Sequence, residues 1–199
     1  MSKSHCFFAL ISRMKNITRW SLMRNSSHEN VQEHSHMTAV LAHALAVIRR
    51  DVFGGESDPG QAAAEALFHD ASEIYTGDMP TPIKYLSSEL TSAYKSAEEG
   101  AKQRLLMTLP PELRESYKPL LTEKPGGPTG ELVHAADKLA AYIKCLEEER
   151  ACNREFRLAA EQTLKKLHAL NMPEVDYFIE NFMGSFSLTI DELGREEGQ

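Results

Sequence analysis

Apolar residues recur at helical spacing along most of this chain, and this periodicity limits the folds that it can adopt. The segment after Asn30 shows the pattern clearly, with an inward face formed by Val31, His34, Thr38, Leu41, Leu45 and Ile48. The segment 131–153 repeats it with Leu132, Val133, Ala136, Leu139, Ala140, Ile143 and Leu146. No segment alternates apolar and polar residues as a half-buried strand would. We therefore predict an all-α fold.

Start and stop signals divide the chain into a series of predicted helices. Asn30, followed by Glu33, is a good N-terminal cap for the helix that begins at Val31. Glycines and prolines predict two loops, TGDMPTP at 76–82 and EKPGGPTG at 123–130. The expected helices cover 7–18, 31–48, 60–75, 88–107, 111–117, 131–153, 156–170 and 175–183.

Length and charge restrict the size of the fold and the kind of partner. A chain of 199 residues with 42% hydrophobic content suits one compact domain spanning residues 1–199. Its formal net charge of -7 repels the phosphates of polymeric nucleic acid. A small phosphorylated substrate remains compatible with that charge if the site supplies its own cations.

Several sequence features favour the cytoplasm. The three cysteines form no C-x-x-C pair, which is typical of reduced thiols. The apolar run that follows Cys6 is short, has no small-residue cleavage site and continues into Arg13 and Lys15, unlike a signal peptide. No run approaches the roughly 18 apolar residues of a membrane span. We expect a cytoplasmic protein with no membrane partner.

An imidazole and a carboxylate, His69 and Asp70, stand side by side in the alanine-rich segment ALFHDASEIY. Helical spacing places Asp70 on the same face as Ala63, Leu67 and Ile74, which should be buried. Leaving such polar groups buried and unpaired would cost several kcal/mol. The pair therefore needs a partner inside the fold.

Two other helices carry ligand-capable groups on their inward faces, namely His34 and Asp137. Any one of these residues alone would be an ordinary satisfied core residue, but their coincidence on three inward faces favours a shared partner. One divalent cation would satisfy them together, and a mixed nitrogen and oxygen set suits Mn, Co, Zn, Ni or Fe better than a thiolate-binding ion. The predicted metal ligands are His34, His69, Asp70 and Asp137.

A histidine, an adjacent His-Asp pair and a distant aspartate together resemble the HD-domain metal-dependent phosphohydrolases. The similarity extends through the segments RWSLMRN, ENVQEHS, FHDASEIYTGDMPTPIKY, ADKLAAYIKCLEE, PEVDYF and SFSLTIDEL. Over nearly the whole chain it resembles the bacterial HD-domain 5′-deoxynucleotidases. That resemblance implies an HD-type helical bundle, a homodimer and hydrolysis of deoxyribonucleoside 5′-monophosphates to deoxyribonucleosides and phosphate.

The resemblance also implies roles for individual residues. One divalent transition-metal ion per subunit, cobalt, manganese or copper, would be held by His34, His69, Asp70 and Asp137. Catalysis would involve Glu73, Arg19 and Asp70. The nucleotide would contact Arg19, Trp20, Asp70, Asp78, Met79, Pro80, Thr81 and Asp137.

The residue chemistry is consistent with these roles but leaves alternatives. Glu73 lies one helical turn from His69 and is a candidate general acid or base, or else a solvated helix glutamate. Arg19 offers a fork for a phosphate dianion, or else faces a helix C-terminus. The ring of Trp20 could exclude ribose by lying against C2′, or could simply pack in the core.

Two other functions remain open at this point. The chain could hydrolyse another nucleotide phosphoester or a pyrophosphate, or it could be a non-catalytic nucleotide sensor with a structural metal. A purely structural metal needs no phosphate clamp, so Arg19, Glu73 and Asp78 favour the enzyme. Because no residue pattern reads base edges in an obvious way, we expect broad tolerance of the base. The resemblance and the bulk of Trp20 imply selection against ribonucleotides.

Overall fold

The structure is a computed structural model that describes residues 5–84, 86–122 and 127–194, without the side chain of Thr81. Its α-helices are α1 (Phe7–Ile11), α2 (Val31–Asp51), α3 (Pro59–Phe68), α4 (Glu73–Thr76), α5 (Thr81–Lys84), α6 (Ser88–Leu106), α7 (Pro111–Thr122), α8 (Pro128–Arg150), α9 (Arg157–His168), α10 (Pro173–Phe182) and α11 (Ile190–Leu193). Short 3₁₀ helices cover Ser12–Asn16, Arg154–Phe156 and Met183–Ser187. No β-strand occurs in the described ranges, which confirms the all-α prediction.

Helix α2 begins at a reciprocal cap. The side chain of Asn30 accepts a hydrogen bond from the backbone N–H of Glu33, and the Glu33 carboxylate accepts one from the backbone N–H of Asn30. These two bonds satisfy donors that the first turn of a helix otherwise leaves unpaired. The predicted inward face of α2 is buried throughout, which confirms its register and places His34 at 0% exposure.

The central core lies where α2, α3 and α8 pack together. Many of its buried side chains are alanines, namely Ala39, Ala42 and Ala46 on α2, Ala62 and Ala66 on α3, and Ala135, Ala136 and Ala140 on α8. Small side chains let helix backbones approach closely, and the larger residues Leu45 and Leu139 fill the remaining space. This packing brings His34 on α2 next to Asp137 on α8.

Two smaller clusters support the segments around this core. The first joins α1, α6 and α7, where Phe7 contacts Phe68 and Tyr117 edge-on or at a tilt. The second contains Cys145, Phe156 and Ala160 and packs against Trp20. The first cluster therefore holds the end of α3, and the second holds the loop that follows the N-terminal helical segment.

The single helix predicted over 60–75 is wrong. Helix α3 ends at Phe68, residues 69–72 form turns, and α4 starts at Glu73. The backbone N–H groups of Ala71 and Glu73 donate to carbonyls three residues earlier in the chain, instead of four as in an α-helix. In addition, the ring of His69 forms a hydrogen bond with the carbonyl oxygen of Ala66. The side chain of His69 thus competes with a backbone N–H for this carbonyl oxygen, and the α-helix gives way to tighter turns.

The face predicted for Asp70 is correspondingly incorrect. Leu67 is 44% exposed, whereas Glu65 and Ala66 are buried. Asp70 is nevertheless drawn inward, because the turns redirect the chain toward α2 after Phe68.

Several predicted boundaries also need correction. The EKPGGPTG loop is shorter than predicted, since α8 begins at Pro128; residues 123–126 lie outside the described part. Thr81 begins α5 instead of lying in a loop, and α7 continues to Thr122 despite Pro119. The first segment turns from α-helix to 3₁₀ helix at Ser12. Within the described ranges, no helix combines the length and apolar character that crossing a membrane would require.

Candidate active site

Three predicted metal ligands converge between α2 and the turns that follow α3. One potential ligand atom from each of His34, His69 and Asp70 lies within 4.8 Å of the others. The Asp70 Oδ2 atom is 3.0 Å from His69 Nε2 and 3.7 Å from His34 Nε2. The two imidazole centroids are 5.3 Å apart. This spacing leaves one carboxylate oxygen between two imidazole nitrogens.

The orientation of His69 fits the binding of a cation. Its Nδ1 atom lies 2.7 Å from the carbonyl oxygen of Ala66, which assigns the ring proton to Nδ1 because a carbonyl can only accept. The buried Nε2 atom then faces Asp70 Oδ2 at 3.0 Å and is the ring nitrogen that could bind a cation in place of a proton. A backbone carbonyl that fixes the histidine tautomer is a common feature of metal sites.

The electrostatics of this cluster also favour a positive charge. Burial lowers the pKa of His69, but the charge and hydrogen bond of Asp70 outweigh burial and raise it to about 9. Burial raises the pKa of Asp70, but the neighbouring histidines outweigh it and bring the value to about 2. The carboxylate is therefore ionised at neutral pH. A bound divalent ion would take the place of the imidazole proton.

Asp137, the fourth predicted ligand, approaches the cluster from α8. Its Oδ1 atom is 3.1 Å from His34 Nε2, although Asp137 is not part of the tightest three-residue group. Burial acts to raise the Asp137 pKa, but the hydrogen bond and charge of His34 hold it far below its usual range. Its side chain is 35% exposed, so it faces the adjoining cleft as well as His34.

Arg19 supplies the local positive charge that a phosphate site in this acidic chain needs. Its Nη1 atom is 3.4 Å from Asp70 Oδ2, and its Nε atom donates to Glu29 Oε2 at 3.0 Å. Burial lowers the pKa of the guanidinium, but the carboxylates of Asp70 and Glu29 outweigh burial and raise it. The Arg19 side chain is only 12% exposed and pairs with two carboxylates, which disfavours the alternative of an arginine that faces a helix C-terminus.

Trp20 adopts an unusual backbone conformation beside Arg19. Its φ of 57° lies in the left-handed region, which is strained for a bulky residue. Its Nε1 atom donates to Glu29 Oε2 at 2.9 Å, and its ring centroid is 5.3 Å from that of Phe156. These contacts hold the indole in the wall of the cleft.

The cleft has a volume of about 660 Å³. Its lining includes the predicted residues Arg19, Trp20, Asp78, Met79, Pro80 and Asp137. The lining also includes Lys138 from α8 and Gln162, Thr163 and Lys166 from α9. A volume of this size accommodates a nucleotide-sized ligand. The wall combines cations, a carboxylate cluster and one large aromatic ring.

Glu73 is only 8% exposed, which excludes the alternative of a solvated glutamate. Burial is the main cause that raises its pKa to about 10, with repulsion from Asp70 and Asp78 adding to it. Its Oε2 atom is buried without a hydrogen-bond partner among the described residues. Glu73 therefore carries a proton at neutral pH.

The structure brings together most of the residues that the sequence predicted. Arg19 and Asp137 line the cleft; Arg19 contacts the half-buried Asp70, and Asp137 contacts the buried His34. The side chain of Thr81 lies outside the described part of the chain, so its predicted contact stays a prediction.

Lys138 and Glu29 are among the residues at the site that were not predicted. Lys138 directly follows Asp137, so a search for cations next to predicted ligands would have found it. Glu29 gives no local signal, because its partners Arg19 and Trp20 lie at the other end of a loop. Only the folded loop shows that they meet.

A comparison with known families gives an independent assignment. The family described as 5′-deoxynucleotidase YfbR-like matches residues 6–186 of the chain. This chain belongs to that family. The family match confirms the resemblance found in the sequence. Among curated relatives of the YfbR-like family, a 5′-deoxynucleotidase from Cronobacter sakazakii is 47% identical over 98% of both chains. The 5′-deoxynucleotidase YfbR of Escherichia coli is also 47% identical over 98% of both chains.

Solved structures agree with the fold of this YfbR-like chain. An HD-domain phosphohydrolase from Listeria innocua has a TM-score of 0.81 and 25% identity, covering 92% of this chain and 88% of its own. A cyanophage S-2L HD phosphohydrolase, DatZ, was solved with dA and one catalytic Zn²⁺ ion. Its TM-score is 0.60 at 22% identity, covering 89% of this chain and 96% of its own. These neighbours confirm the predicted HD-type helical fold.

Proposed function

We propose that this chain is a metal-dependent 5′-deoxynucleotidase that hydrolyses deoxyribonucleoside 5′-monophosphates to deoxyribonucleosides and phosphate. The observation that carries this proposal is the arrangement of His34, His69 and Asp70 around one point, with the guanidinium of Arg19 3.4 Å from Asp70. A cation site next to a phosphate-binding fork is the arrangement that phosphomonoester hydrolysis requires. The named relatives at 47% identity support the same activity.

The metal would be held by His34, His69, Asp70 and Asp137. When bound, a divalent ion at these ligands supplies Lewis-acid stabilisation of phosphate charge and makes a nucleophile available at neutral pH. Cobalt, manganese and copper are our candidates, and nitrogen and oxygen ligands accept several such ions. The Zn²⁺ ion in DatZ adds zinc to the set that should be tested.

Cations at the cleft would bind the phosphate of the substrate. Arg19 keeps two of its nitrogen atoms near Glu29 and Asp70, which aims the guanidinium without the need for reorganisation. Lys138 and Lys166 line the same cleft and add positive charge. These cations provide positive charge at the cleft, although the chain as a whole has a net negative charge.

Glu73 would act as the general acid that protonates the leaving 5′ oxygen. Its high pKa keeps the proton in place until an alkoxide develops on the leaving oxygen. Departure of a deoxyribonucleoside as an alcohol would then require no free alkoxide.

The remaining cleft residues would position the nucleoside. The indole of Trp20 would exclude a 2′-hydroxyl by its bulk, while Asp78, Met79, Pro80 and Thr81 would form the rim that holds the sugar and phosphate. Broad tolerance of the base follows from the absence of an obvious base-reading pattern. A homodimer and a cytoplasmic location remain predictions of the sequence analysis.

Phosphate release tests the proposal. Paired deoxyribo- and ribonucleoside 5′-monophosphates should be supplied to chelated protein, with metals added back one at a time. We expect metal-dependent release from the deoxyribonucleotides of several bases and little from the ribonucleotides. Cleavage confined to nucleoside triphosphates or cyclic dinucleotides would favour another HD-type hydrolase, and metal binding without turnover would favour a sensor.

A further inference from the structure

Glu29 closes a loop that connects the phosphate-binding arginine to α2. Residues Thr18 and Asn30 form an antiparallel bridge, and the backbone N–H of Arg19 donates to the carbonyl of Glu29 at 3.0 Å. The N–H of Val31 donates to the carbonyl of Ile17 at 3.0 Å. The two ends of the loop are therefore fixed against each other just before α2.

The side chain of Glu29 uses one oxygen atom for two contacts. Its Oε2 atom accepts from Arg19 Nε at 3.0 Å and from Trp20 Nε1 at 2.9 Å. The Glu29 side chain is 15% exposed, so water competes poorly for these bonds. One carboxylate thus fixes both the guanidinium and the indole.

Both partners need such a restraint. Trp20 has a left-handed backbone, a conformation that persists only when the surroundings hold it in place. Arg19 has its Nε atom on Glu29 and its Nη1 atom near Asp70, while Nη2 has no hydrogen-bond partner among the residues that the structure describes. The Nη edge is therefore presented to the cleft, and without Glu29 the guanidinium could rotate.

We propose that Glu29 is a positioning residue that sets the selection of deoxyribose over ribose and the affinity for phosphate. This inference rests on the proposed 5′-deoxynucleotidase function. Glu29 fixes the indole of Trp20 and the fork of Arg19, the two groups proposed above to lie against the sugar and the phosphate. A loose indole would give a 2′-hydroxyl room to enter, and a loose guanidinium would bind phosphate less tightly.

Substitutions of Glu29 separate the two contacts. Glu29→Ala removes both. Glu29→Gln keeps a carbonyl oxygen that can accept from the indole, but it loses the negative charge that faces Arg19. Glu115→Ala, at an exposed residue of α7, is the control.

The experiment measures kinetics on a matched pair of deoxyribo- and ribonucleoside monophosphates, together with metal content. It also measures acrylamide quenching of tryptophan emission without substrate, because Trp20 is the single tryptophan of the chain. For Glu29→Ala we expect the ratio of deoxyribo to ribo kcat/KM to fall about tenfold, with stronger quenching and unchanged metal content. For Glu29→Gln we expect KM to rise about tenfold on both substrates while the ratio and quenching stay near wild type.

Three results would overturn the inference. The first is an unchanged ratio of deoxyribo to ribo kcat/KM in Glu29→Ala, and the second is unchanged tryptophan quenching in the same variant. The third is a KM that is the same in Glu29→Gln as in Glu115→Ala. If Glu29→Ala does not fold, the KM of Glu29→Gln decides the outcome, and an unchanged KM would overturn the inference. A wild-type protein without activity on deoxyribonucleotides would refute the proposed function, and the quenching measurement would still decide whether Glu29 holds Trp20.

Discussion

At the scale of single residues, the site depends on carboxylates that have different protonation states within one small volume. Asp70 is ionised because the neighbouring histidines outweigh its burial and lower its pKa, whereas Glu73 stays protonated because burial and neighbouring carboxylates raise its pKa. Pairs of carboxylates whose pKa values are pushed apart in this way divide the work of charge stabilisation and proton transfer.

Replacing Glu73 tests this division. Glu73→Gln keeps the size of the side chain but cannot give up a proton, so we expect turnover of deoxyribonucleotides to fall by about 10²-fold or more. Metal content should stay normal, since the ligands are untouched. Steady-state kinetics and elemental analysis provide the measurements, with the exposed Glu131→Gln as the control. Turnover near the wild-type value would remove Glu73 from the mechanism.

At the scale of elements, the start of α2 matters because His34 lies in its first turn. We expect Asn30→Ala to lower the free energy of unfolding by about 1 kcal/mol, because the substitution removes the N-terminal cap. Urea unfolding measures the loss. The exposed Gln32→Ala in the same turn should change stability far less. Equal effects of the two variants would show that the cap contributes nothing.

A buried ion pair on α8 fixes the loop that carries Arg19 and Trp20. Glu148 is fully buried, pairs with Lys144, and accepts hydrogen bonds from the backbone and hydroxyl groups of Ser26 at 2.8 and 2.6 Å. Burial acts to raise the Glu148 pKa, but these donors outweigh it and hold the value well below its usual range. The ionised form is therefore part of the folded state.

The sign of the resulting pH dependence follows from this lowered pKa. Glu148 contributes stability above its unfolded pKa of about 4.3, and that contribution is lost as the pH falls toward its folded pKa. We expect the free energy of unfolding to fall in acid from about pH 5 downward. Glu148→Gln should cost about 3 kcal/mol at pH 7, because it leaves Lys144 poorly paired, and should flatten the acid dependence.

Urea unfolding at about pH 7 and pH 4 measures both effects, and the exposed Glu180→Gln serves as the control. An acid dependence that is the same in Glu148→Gln and in the wild type would assign that dependence to other carboxylates.

The sequence predicted the elements unequally. The long inward face and the cap of α2 are local signals, so His34 was placed correctly. Asp70 was also assigned to the site, but on the basis of a helix that in fact ends at Phe68. The ring of His69 forms a hydrogen bond with a backbone carbonyl there, and the spacing of apolar residues does not predict such a bond. Glu29 was missed because its contacts cross a loop.

At the scale of the whole molecule, the metal would link separate parts of the fold. The proposed ligands come from α2, the turns after α3, and α8, so a bound ion joins elements that are distant in sequence. An ion that binds only the folded state stabilises it by about 2.7 kcal/mol at one hundred times its dissociation constant.

Thermal unfolding tests this link. We expect the melting temperature to rise when a divalent transition metal is added to chelated protein. The shift should disappear in His34→Ala and persist in His43→Ala, an exposed histidine of the same helix. A shift that persists in His34→Ala would place the stabilising ion elsewhere.

The alanine-rich contact between α2, α3 and α8 has a further consequence for how this protein tolerates change. The positions of His34 and Asp137 depend on the distance between helix backbones, and alanine side chains such as Ala42 and Ala136 set that distance. A larger residue at either alanine would push the helices apart and lengthen the gap that the two ligands span. The helix spacing therefore restricts the size of the metal ion that the proposed ligands can bind. Larger residues at these alanines would change that size without contacting the substrate.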